Sequence, residues 1–127
     1  MNAHPTNTLV VALGDAPIEA PNGNVLVVAP ALNSWLRRLA SDDGRARCLA
    51  GRRLRTYLEQ FELHGVHAEG RIGDSDPLLA IADALTTFPA DEIVIAADTR
   101  AQELAQRARI RFSLPTSHAR EPFPIAA

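Results

Sequence analysis

The side chains of this chain able to bind ions, move protons or attack a substrate are few, and their spacing limits what each could do. His64 and His67 are separated by two residues, a spacing that invites a metal site. On an alternating strand the two rings would point to opposite faces, and no third ligand stands nearby. His4 and His118 fall in loop-like segments, so four solvent-exposed histidines are the plainer reading and no metal is expected. Cys48 is the only cysteine. The neighbouring Arg45, Arg47 and Arg52 would lower its pKa, yet a single helical cysteine is ordinarily a small, half-buried hydrophobe. Serine, histidine and aspartate are all present, but no G-x-S-x-G spacing sets up a nucleophile. No catalytic constellation emerges, and no enzyme is expected.

Two segments remain. Seven of the thirteen cationic residues lie between Arg37 and Arg55, which leaves a local charge of about +5 against Asp42 and Asp43. These arginines alternate with apolar helical positions, and no aromatic residues interleave with them for base stacking, so a solvated helix face is expected. Gly73-Asp74-Ser75-Asp76 stands at the carboxyl end of a predicted strand, where open α/β sheets bind ligands. Its two aspartates would repel a phosphate. The segment therefore reads as a turn and helix cap unless a ribose hydroxyl or a cation is the ligand.

The elements that must position these residues belong to one domain. The chain has 127 residues, net charge -2, 46% hydrophobic and 22% charged residues, the composition of a single soluble globular unit spanning residues 1–127. Residues 1–7 and 119–127 read as tails. All 13 basic residues are arginine, and the near-neutral balance argues against a dedicated nucleic-acid partner. No apolar run reaches 18 residues, and Met1 to Asn7 lacks the positive flank of a signal peptide. With one thiol and no disulfide, these features predict a cytoplasmic protein without a membrane partner.

Thr8 to Leu13 and Asn24 to Ala29 are Val-rich runs that read as strands buried on both faces. The ten residues 14–23 between them hold two prolines and two glycines and show no helical period. After Pro30, Asn33 or Ser34 caps a short helix carrying Trp35, and Ser41 caps a longer one to about Leu63. Its stripe is Ala50, Leu54, Tyr57, Leu58 and Phe61. Gly65 takes the left-handed residue after this helix, and Val66 to Ile72 alternates as a strand with one wet face, or an edge. Asp76 with Pro77 starts the next helix, whose face is Leu78, Ile81, Ala82 and Leu85 and which stops near Phe88-Pro89. Glu92 to Ala97 is a strand. Thr99 caps a helix to Phe112, with Ala101, Leu104, Ala105, Ala108 and Phe112 inward, and Leu114 to His118 is a weak last strand. This order predicts an α/β domain with a mainly parallel open sheet and flanking helices.

The segments NVLVVAPALNSWLRRLASDD (24–43), EGRIGDSDPLLAIADAL (69–85) and FPADEIVIAA (88–97) together resemble the universal stress protein family over roughly residues 24–118. Of its members, the short actinobacterial-type ones are the most similar. The resemblance implies a Rossmann-like sheet of the adenine nucleotide alpha-hydrolase kind, with strand order 3-2-1-4-5, and frequent dimers. It also implies a choice between ATP-binding and non-binding branches. The binding branch carries a glycine-rich phosphate loop after the fourth strand, and from Glu92 onward this chain contains no glycine. Asp15, Gly73 and Asp74 are the residues that still match a nucleotide pocket, enough to hold the adenosine of ATP or AMP. The expectation is thus a non-catalytic domain without cofactor that works through self-association or protein partners. The alternative is a nucleotide-binding protein or weak hydrolase using the strand carboxyl ends.

The chain departs from the family pattern at its first crossover, where the helix is missing. Ten irregular residues are short for a parallel return, so the first strand is expected to pair antiparallel or to be displaced. Leu9, Val10, Val11 and Leu13 would then lack cover on one face, and a homodimer is expected there, near strand one and residues 14–23. The chain's own tail, through Phe123 and Ile125, is the alternative cover.

Overall fold

The computed structural model describes residues 6–14, 18–31, 43–97 and 101–119. Five strands, β1 (Asn7–Ala12), β2 (Asn24–Pro30), β3 (Ala68–Gly73), β4 (Glu92–Ala96) and β5 (Thr116–Ala119), form one sheet of order β3-β2-β1-β4-β5. Every pairing is parallel. Among the described residues three helices flank the sheet: α1 (Asp43–Leu63), α2 (Pro77–Leu85) and α3 (Ala101–Phe112). The molecule is an open, Rossmann-like α/β sheet. The strand order is the one that the family resemblance implies.

The first strand corrects an expectation. It is neither antiparallel nor displaced: β1 is the central strand, with Leu9 beside Leu26 on one side and Ile93 on the other. Chain length explains how the return over residues 13–23 succeeds, even counted as the expected ten residues. Ten residues in extended form reach about 33 to 36 Å, whereas a strand of six residues rises about 20 Å. Ten residues wound as a helix would cover only about 15 Å. The described residues of the connection, 13–14 and 18–23, are accordingly irregular chain and not helix.

That connection also covers what a helix would have covered. Ile18 packs with Val10, Ala12, Val25 and Val27, on the face where α1 contributes Ala50, Tyr57 and Phe61. α1 holds the connection down at two points. The Tyr57 hydroxyl donates to the Gly14 carbonyl at 3.2 Å, and Gln60 Nε2 donates to the Ile18 carbonyl at 2.9 Å. On the opposite face, Leu9, Val11, Leu26, Val28, Ile93 and Ile95 meet the small residues of α2 and α3. Leu9, Val10 and Val11 are fully buried and Leu13 half-buried within one chain. Uncovered side chains on strand one are thus no reason for a dimer.

Local signals account for the helix ends. Asp76 accepts from the Leu78 N–H at 3.0 Å with Pro77 at the first helical position, and Gly65 has φ +79°. The stripe expected on α1 is the one buried, with Ala50, Tyr57 and Phe61 enclosed and Leu54 and Leu58 at its margin. In α2 the core contact is Ala84 and not Ala82. The helix ends at Leu85, before the expected Phe88, where the Thr86 hydroxyl donates to the Asp83 carbonyl at 2.6 Å. Asn7, expected in a tail, opens β1. Its N–H donates to Asp91 Oδ2 and its side-chain amide to the Pro89 carbonyl, both at 2.9 Å. Ala119, expected in the other tail, ends β5. The caps Ser41 and Thr99, the helix around Trp35, and the tail with Phe123 and Ile125 lie outside the described residues. Among the described residues no helix is long and apolar enough to cross a membrane.

Candidate functional site

In an open parallel sheet the place for a ligand is the carboxyl edge at the topological switch point, which here lies between β1 and β4. Backbone groups at that edge already have partners within the chain. The N–H groups of Leu13 and Gly14 both donate to the Ala96 carbonyl, at 3.0 and 3.1 Å. This ties the end of β1 to the end of β4. The Ala31 N–H donates to the Gly73 carbonyl at 3.1 Å, and the Pro30 carbonyl accepts from Arg53 Nη2 at 2.8 Å.

Gly73 and Asp74 are brought to this edge beside Ala31, while Asp15 lies outside the described residues. The roles of the first two are set by packing and by the turn. A Cβ on Gly73 would stand 2.8 Å from the Ala80 Cβ and 3.0 Å from Val28 Cγ2, so the missing side chain lets α2 seat on the sheet. The space it leaves is filled by α2. Asp74 Oδ1 accepts from the Asp76 N–H at 2.9 Å, and Asp76 in turn caps α2. Both carboxylates are engaged in their own loop, and both residues are exposed.

The other candidates disperse. Among the described residues no group of three or more His, Cys, Asp or Glu could hold a metal. His64 lies in the turn after α1 with its Nδ1 3.0 Å from the Gln60 carbonyl, His67 is exposed before β3, and His118 sits in β5 beside Ile95 and not in a loop. Cys48 is exposed, not half-buried. It precedes Ala50 by two positions, which turns it about 200° away from the buried stripe. Arg47, Arg52 and Arg55 form the expected solvated face. Arg53 departs from it, turning back onto the sheet edge, a role its place in an arginine run concealed. Arg37 and Arg38 lie outside the described residues, as does the side chain of Arg45.

A second concavity lies at the opposite end of β4. A groove of about 340 Å³ opens between the first connection and β4, with Thr6, Glu19 and Glu92 around it and Ala20 and Val94 in its wall. The sequence marked the connection as a place for a partner, but not Glu92 or Val94. Their signal was the alternation within β4, where Ile93 and Ile95 are buried and Val94 is half-exposed between them.

No known family model matches the chain, and no characterised protein matches it at a significant level.

Proposed function

We propose that this chain is a non-catalytic domain of the universal stress protein kind, acting in the cytoplasm through self-association or protein partners, and that it does not hold ATP in a glycine loop. The observation that supports this reading is the self-satisfied carboxyl edge. The amides of Leu13 and Gly14 point to Ala96, and the carboxylates of Asp74 and Asp76 serve their own turn. A nucleotide would have to displace these contacts and approach two carboxylates with its phosphates. The glycine-free stretch after β4 supports the same reading.

The test is thermal unfolding of the full chain with increasing ATP or AMP. The melting temperature is expected to stay constant, because a ligand that does not bind the native state cannot stabilise it. A dose-dependent rise of several degrees would overturn the proposal. An adenine-nucleotide site built on Asp15, Gly73 and Asp74 would take its place.

A further inference from the structure

The groove beside β4 and the outer face of α3 are complementary in charge and in apolar character. Parallel partners in register project their side chains to the same face of a sheet, so Glu92 and Val94 share a face with Thr8 and Val10. The first connection covers β1 on that face, and the groove remains open between Ala20 and Val94. Glu19 is exposed and Glu92 half-buried, and among the described residues neither side chain has an ion pair or hydrogen bond. Two carboxylates in a lining that also holds Ala20, Pro21 and Val94 beside the polar Thr6 and Asn22 suit a cationic group attached to an apolar one.

The outer face of α3 has that chemistry. Ala101, Ala105 and Ala108 turn inward, which leaves Arg107, Ile110 and Arg111 together on one outward strip at i, i+3 and i+4. Both arginines are exposed, and Ile110 is 81% exposed. A single exposed isoleucine is unremarkable by itself. Here it shares its strip with Arg107 and with Arg111, whose guanidinium lies 5.6 Å over the Phe112 ring, a pair of cations that can meet two carboxylates beside an apolar contact.

We propose that α3 of one copy docks through Arg107, Ile110 and Arg111 in the groove of a second copy, with Ile110 against Ala20 and Val94 and the arginines on Glu19 and Glu92. α3 packs on one side of the sheet and the groove opens on the other. A copy bound in this way leaves its own groove free, so the contact is head to tail and extends to further copies instead of closing as a two-fold dimer. The inference rests on the reading that the chain acts by association. It uses none of the carboxyl edge.

Sedimentation of the full chain from low micromolar to near-millimolar concentration tests it. The mean mass is expected to rise above 13.7 kDa without levelling at the dimer, and to fall back in high salt. E19R/E92R and R107E/R111E are each expected to raise the concentration needed for association at least about tenfold. Mixing the two variants should restore it, because each reversed surface then meets its complement, and that rescue also shows both are folded. A wild-type chain that stays at 13.7 kDa throughout overturns the inference. So does association that both variants retain, although in that case the chain still acts by association through another surface.

Discussion

Gly73 has no side chain because α2 leaves no room for one, with Ala80 and Val28 within 3.0 Å of where a Cβ would be. Neither neighbour can rotate away, since one is alanine and the other is held in the core. Gly73→Ala is therefore expected to destabilise the fold by about 1 to 3 kcal/mol, the usual cost of overpacking. A loss of several degrees in melting temperature would register it. Asp76→Ala removes the acceptor for the Leu78 N–H and should cost about 1 kcal/mol. Asp74→Ala loses one hydrogen bond in an exposed turn and should cost less. The ranking matters because a pair held for adenosine would affect ligand binding more than stability. Cys48→Ser is expected to change neither stability nor association, since the thiol is exposed.

Among the elements, the irregular first connection carries the most weight for its length. Among its described residues Ile18 is buried, and the side chains of Tyr57 and Gln60 in α1 donate to its Gly14 and Ile18 carbonyls. Ile18→Ala is expected to cost about 2 to 5 kcal/mol, as large-to-small changes in a core do. Tyr57→Phe removes the bond to the Gly14 carbonyl and Gln60→Ala the bond to the Ile18 carbonyl, and each lost bond should cost about 0.5 to 1.5 kcal/mol. Denaturant midpoints of the three variants decide the matter. If Ile18→Ala proves no worse than Gln60→Ala, the connection is a surface strap and does not complete the core.

For the whole molecule, the decisive feature is that both faces of β1 are enclosed by the chain itself. Val10 lies in the central strand under α1 and Ile18, and is fully buried. A carboxylate there has no partner, and burying a charge without one costs far more than a domain stable by about 5 to 15 kcal/mol can absorb. Val10→Asp is expected to leave the chain unfolded at every protein concentration, as circular dichroism would show. A folded, monomeric Val10→Asp would mean instead that the strand is covered by a second subunit.

Much of this architecture was legible in the sequence because it depends on neighbours in the chain. The period of Ala50, Tyr57 and Phe61, the Asp76-Pro77 start and the left-handed Gly65 are all set by backbone hydrogen bonding within a few residues. The Val-rich runs of β1 and β2 likewise announced strands buried on both faces. The direction of β1 was not legible. It depends on whether residues 13–23 can span the sheet and on side chains of α1, some forty positions away, that hold them there. Cys48, Arg53 and Gly73 were ambiguous for the same reason. A thiol, a guanidinium and a glycine become exposed, anchored or packed according to what the fold brings opposite them. The groove at Glu92 and Val94 is a tertiary product throughout, because it exists only where residues 19–22 of the first connection come to lie beside β4. Local periodicity specified the elements, and the long-range covering of the sheet decided which faces remain for a partner.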